Sequence, residues 1–100
     1  MQHINQAPLI ITGNGTTHVD TSYTQGLSDA QFISVYNSST TVNCFVLSGT
    51  SPTATTSCQA VPFGKTRTFK KGVGDAKISI VFAGASTDKV YVTSGEDKTN

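Results

Sequence analysis

A chain of 100 residues with a net charge of +1 and 13% charged side chains can build one modest core, and it lacks the charge imbalance that would draw it to nucleic acid or an anionic membrane. Sixteen threonines and eleven serines supply the polarity that charge does not. β-Branching at this frequency favours pleated strands over helices, so residues 1–100 are expected to form a single all-β domain.

The first twelve residues, MQHINQAPLIIT, have no basic start, and their apolar run is too short for a signal peptide. No stretch reaches the length of a membrane-spanning helix. These features predict a protein made in a cytoplasm, with residues 1–7 as a flexible arm outside the core.

Residues 8–12 (PLIIT) read as a first strand, followed by a turn at Gly13, Asn14 and Gly15. Residues 18–23 form a weak second strand. Within 24–30, Ser28 precedes Gln31 by three positions, with Leu27 and Phe32 beside them, which is the spacing of a capping box with a hydrophobic staple. The β-rich FISVYN that follows limits this to one helical turn. Residues 32–37 are a strand, and Ser38, Ser39 and Thr40 turn it into a next one. There Val42, Cys44 and Val46 point to one face and Phe45 and Leu47 to the other, so this strand belongs inside a sheet. The GTSPT loop returns the chain as a strand over 55–63, and three consecutive strands make a meander. A turn at Gly64, Lys65 and Thr66 leads to a short strand at 67–69 and a glycine-bearing loop at 70–75. Residues 77–82 alternate, with Ile78, Ile80 and Phe82 on one face. After a polar turn at 85–88 comes a last strand at 89–93, and residues 94–100 fray. Seven to eight short strands without a longer helix predict an antiparallel two-sheet sandwich or jelly-roll-like domain.

The two cysteines, Cys44 and Cys58, lie symmetrically about Ser51. A simple hairpin sets them opposite each other, within reach of a disulfide; in a reducing compartment they pack instead as two buried thiols. Their spacing is not that of a zinc site.

No constellation for catalysis or metal binding emerges, and no cofactor is expected. His3 and His18 lie in the arm and the weak second strand, without a nucleophile at a telling spacing. The carboxylates Asp20, Asp29, Asp75, Asp88, Glu96 and Asp97 fall almost wholly in turns or the tail, the ordinary place of solvated turn-formers. Gly64-Lys65-Thr66 echoes the end of a phosphate-binding loop, but Gln59 stands where that loop needs a glycine. Asn14-Gly15-Thr16 and Asn37-Ser38-Ser39 match the glycosylation acceptor pattern and, without a secretory route, serve as turns.

Charge is uneven in one place. Lys65, Arg67, Lys70, Lys71 and Lys77 supply five of the seven cations within thirteen residues. Such a cluster discourages edge-to-edge pairing of an exposed strand, or it docks on an acidic partner surface. In the arm, Gln2, His3, Ile4 and Asn5 are either a loose terminus or a strand added to a neighbour's sheet edge. The partner-binding candidates are therefore Gln2, His3, Ile4, Asn5, Lys65, Arg67, Lys70 and Lys71.

Three segments together resemble small all-β virion proteins of tailed bacteriophages: ISVYNSSTTVNCFV from Ile33, VPFGKTRTF from Val61, and Asp75 to Ile80 leading into VYVTSGE from Val90. The resemblance covers about Phe32 to Glu96. It implies a non-enzymatic virion component, foremost a decoration protein that binds and stabilises the assembled capsid. The implied partner is the major capsid protein or another virion protein, met as a homo-oligomer on a symmetric particle. The alternative is a carbohydrate-binding or receptor-binding module of a phage tail. That module needs exposed aromatics, and with no tryptophan only Tyr23, Tyr36 and Tyr91 offer them.

Overall fold

Strand formation follows the β-branched and aromatic runs. In the computed structural model, which describes residues 8–24, 27–28, 30–72 and 74–95, these runs give β1 (Leu9–Thr12), β2 (Val19–Ser22), β3 (Phe32–Asn37), β4 (Cys44–Gly49), β5 (Gln59–Val61), β6 (Thr66–Lys70), β7 (Lys77–Phe82) and β8 (Lys89–Ser94). Among the described residues there is no helix. The predicted helical turn is a hydrogen-bonded bend in which the N–H groups of Leu27 and Ser28 donate to the Thr24 carbonyl.

The strands form two four-stranded antiparallel sheets, a first in the order β1-β8-β3-β6 and a second in the order β2-β7-β4-β5. The chain crosses between sheets at nearly every connection, and this order is that of a jelly roll. The all-β two-sheet expectation holds. The meander does not: β3 pairs with β6 and β8, whereas β4 pairs with β5 and β7. Ser38 to Thr40 is thus a crossover between sheets rather than a hairpin turn.

Between the sheets lies a core of Ile11, Ile33, Val35, Cys44, Val46, Val61, Ile78, Ile80, Phe82, Val90 and Val92. Each large side chain removed from water here contributes on the order of 1.5–3 kcal/mol. At Gly13 the chain passes so close to the Phe82 ring that an added Cβ would sit 2.0 Å from a ring carbon. Gly64 closes the turn from β5 to β6 at a φ of 71°, with the Lys65 N–H donating to the Pro62 carbonyl.

β4 is an inner strand, as expected, but its outer face is only partly covered, and Leu47 is exposed. The strand buried on both faces is β7, where Ser79 and Val81 are covered as well as Ile78, Ile80 and Phe82. The segment after β4 supplies the cover. The Ala54 N–H donates to Ser79 Oγ at 3.0 Å, and Pro52 and Ala54 are buried. Residues 55–58, predicted to be strand, form a turn closed by the Cys58 N–H on the Thr55 carbonyl.

Asn37, fully buried at the end of β3, holds the crossover. Its Nδ2 donates to the carbonyls of Val42 at 2.9 Å and Val61 at 3.1 Å, and its Oδ1 accepts the Ser39 N–H at 3.0 Å. Its backbone accepts from Gly64 N–H and donates to the Lys65 carbonyl. Replacing Asn37 by Ala strands these buried partners and should cost about 2–4 kcal/mol. Asn37→Asp should cost at least as much, because a carboxylate would face two carbonyl oxygens. Urea unfolding of both variants checks this; a loss below about 1 kcal/mol for either would contradict the assigned role.

Candidate functional site

The cation cluster disperses on folding. Lys65 sits in the turn before β6, and Arg67 and Lys70 lie on β6, the outermost strand of the first sheet; all three are exposed. Arg67 stands opposite Val35 and Phe69 opposite Ile33, so both belong to the inward-facing row of the pleat. None of the three cations forms an ion pair with a described residue. Lys77 stands in the other sheet, on β7.

Lys71, one residue past the strand, is not a surface cation: only 3% of it is exposed. Its N–H still donates to the Gln31 carbonyl, which turns the side chain under the bend that precedes β3. There Nζ donates to the Ser28 carbonyl at 2.9 Å and lies 5.1 Å from the centre of the Tyr23 ring. These contacts offset the desolvation of the ammonium. Lys71 is therefore removed from the partner-binding set. Gln2, His3, Ile4 and Asn5 lie outside the described residues.

Beside Lys71 runs a chain of polar groups. Ser48 Oγ donates to Asp75 Oδ2 at 2.8 Å, which leaves the Tyr23 hydroxyl to donate to Ser48 Oγ at 2.6 Å. The Gly72 N–H also donates to Asp75 Oδ2, at 2.9 Å. Burial raises the Tyr23 hydroxyl pKa above its ordinary value, and the Asp75 charge adds to the rise.

Above this network, on the side where β6 and β5 are the outermost strands, a cleft of about 350 Å³ opens between the sheets. Its floor is Ile33, Val46, Phe69 and Ile78, and its rim carries Ser48, Gln59, Lys70 and Asp75. The outer face of the first sheet offers a different surface: Ile10, Tyr91 and Tyr36 stand side by side across three strands. Ile10 and Tyr36 are exposed, and the tyrosine ring centres lie 6.0 Å apart. Tyr23, by contrast, is buried beneath Lys71 and offers no such surface.

His18 contacts Asp20 at 2.7 Å and Ser79 Oγ at 3.4 Å. Both contacts fall on the same ring nitrogen, Nδ1, whereas a relay needs the nucleophile and the carboxylate on opposite nitrogens. Ser79 is fully buried and already accepts the Ala54 N–H. Among the described residues no three His, Cys, Asp or Glu side chains are grouped to hold a metal, and no helix is long and apolar enough to cross a membrane.

Cys44 and Cys58 are free thiols. The β4–β5 ladder pairs Cys44 with Val61 and Val46 with Gln59. Its register is thus offset from the symmetric hairpin, and Cys58 lies before β5 in the turn closed on Thr55, so the two cysteines are not a cross-strand pair. Neither the cleft nor the Ile10–Tyr91–Tyr36 row was singled out by sequence, because each depends on which strands become neighbours. No family model matches the chain, and no curated protein or solved structure shows significant similarity to it.

Burial raises the Cys44 thiol from an ordinary value of 9.0 to about 12. The folded state thus holds this proton more tightly than the unfolded chain. Its contribution is complete below about pH 9 and declines toward pH 12, by up to about 1.4 kcal/mol per pH unit. Tyr23 acts in the same direction at still more alkaline pH. Urea midpoints of Cys44→Ala should therefore fall less steeply between pH 9 and 12 than those of the parent protein. Parallel slopes would show that the thiol carries none of the alkaline loss.

Proposed function

We propose that this chain is a non-enzymatic structural protein of a virus particle, a decoration protein that binds the assembled capsid of a tailed bacteriophage and stabilises it. The observation that carries the proposal is the placement of Lys65, Arg67 and Lys70 along one open sheet edge, where none forms an ion pair with a described residue. Unmatched cations on a rigid edge accelerate and orient docking to an acidic surface. The resemblance of residues 32–96 to small virion proteins supports the particle as that surface. The proposed partner is the major capsid protein, contacted by many symmetry-related copies, so that weak individual contacts add up.

In a density gradient with purified particles, the protein should sediment with them at low salt and dissociate as salt rises. A Lys65→Glu, Arg67→Glu, Lys70→Glu variant should stay at the top of the gradient. Co-sedimentation of that variant at parental levels would overturn the docking edge, and absence of co-sedimentation by the parent protein would overturn the function.

The pairing of exposed Tyr36 with half-buried Tyr91 favours a second function, a carbohydrate-binding or receptor-binding module, because sugar rings stack on aromatic faces that reach the surface. If it holds, Tyr36→Ala and Tyr91→Ala should each abolish binding on a glycan array and leave particle sedimentation unchanged. An array on which the parent protein binds nothing removes it.

A further inference from the structure

Among the described residues the sandwich opens in a cleft beside β6, and its geometry fits an extended chain. Lys65 accepts from the Asn37 N–H and Lys71 donates to the Gln31 carbonyl; both pairs follow the register that sets Arg67 opposite Val35 and Phe69 opposite Ile33. In an antiparallel ladder the direction of the main-chain groups alternates along the strand. The odd-numbered residues of this stretch therefore bond toward β3. Thr66, Thr68 and Lys70 direct their N–H and C=O groups away from it, to a side where no strand pairs with them among the described residues.

A strand added there would continue the pleat. Every second side chain would share the face of Phe69 and enter the cleft over Ile33, Val46 and Ile78. At about 350 Å³ the cleft is at the low end for a small-molecule pocket, a size that suits one or two aliphatic side chains. The charges on this edge select further positions: Lys65 and Arg67 stand in the same inward row as Phe69, nearer the turn, and Lys70 in the outward row. Lys65, Arg67 and Lys70 are without counter-ions among the described residues, while Asp75 already accepts from Ser48 and Gly72. A second copy of the chain is disfavoured, because two β6 edges would bring like charges together.

We propose that β6 and the adjoining cleft accept an extended segment of a partner protein with acidic residues at one end, beside Lys65 and Arg67, and aliphatic residues at the other, beside Phe69, main chain paired to Thr66, Thr68 and Lys70 and an aliphatic side chain seated in the cleft. This deepens the docking proposal by giving the chemistry of the segment that meets the same edge.

The test is an NMR titration of the isotope-labelled full chain with two blocked hexapeptides, one with three glutamates followed by three valines, the other with three lysines in place of the glutamates. The glutamate peptide should shift the signals of β6, Val46 and Ile78 and bind about tenfold more tightly than the lysine peptide, or better. Thr68→Pro removes an outward N–H at an edge, where proline is tolerated, and should weaken binding about tenfold or more; Gln59→Trp, which fills the mouth of the cleft, should do likewise. Equal binding of the two peptides, shifts centred on Tyr36 and Tyr91, no binding at millimolar peptide, or no effect of both substitutions would overturn the strand site. Titration as expected without co-sedimentation upholds the site and removes the capsid; co-sedimentation without titration removes the strand site alone.

Discussion

The fold depends on one amide. Asn37 ends β3 in a dry space where main-chain groups from the crossover and from β5 lack ladder partners, and its side chain bonds three of them. A primary amide carries two donors and two acceptor sites on a short stem; serine would bring one donor, and glutamine a longer reach. The Ser39 N–H on Asn37 Oδ1 bends the chain directly after β3. Ser39 Oγ then accepts the N–H groups of Thr41 and Val42, so the passage from first sheet to second is a run of side-chain-capped bends. Once the chain is carried across there, β4 must find partners in the second sheet, and β3 is left to pair with β6 and β8.

The two sides of the sandwich follow from how the next stretch is used. Residues 56–58, by the register of the β4–β5 ladder, would continue β5 opposite Gly49, Ser48 and Leu47. They turn away instead, after Pro52 and Ala54 have crossed the outer face of the second sheet, where the Ala54 N–H binds Ser79. The cover buries the outer face of β7, and β5 is cut to three residues. The cleft beside Leu47 and Ser48 is the complement of that cover: chain that would line it lies on the far side of the sheet.

Much of this was legible in the residues, and what was not has a common cause. Alternation and β-branching mark the strands 32–37 and 77–82 with the bounds found, because these patterns are local. Strand partnership is not local. Ser38-Ser39-Thr40 has the composition of a tight turn, and only the three-dimensional placement of Val42 and Val61 around Asn37 reveals a crossover. The symmetric placement of Cys44 and Cys58 about Ser51 suggested a register, but the side-chain bonds of residues 54–58 set a different one. Lys70 and Lys71 look equivalent in sequence. One step along the chain exchanges an edge position for a bend, and the second ammonium meets the Ser28 carbonyl and the Tyr23 ring. The cleft and the tyrosine row are further removed, since each is composed of strands that become neighbours only after the crossover is made.

The edge of β6 shows how one set of residues can carry two constraints. A strand whose main-chain groups face outward invites pairing with any extended chain, and the commonest such chain near a protein is another copy of itself. Arg67 in the inward row and Lys70 at the cleft mouth oppose that pairing by repulsion between copies. The same charges leave the edge open to a segment that brings carboxylates, and Ile33, Val46 and Ile78 beneath it reward an aliphatic side chain beside Phe69. A chain with a net charge of only +1 has little long-range field, so discrimination of this kind must come from where its few cations stand rather than from how many there are.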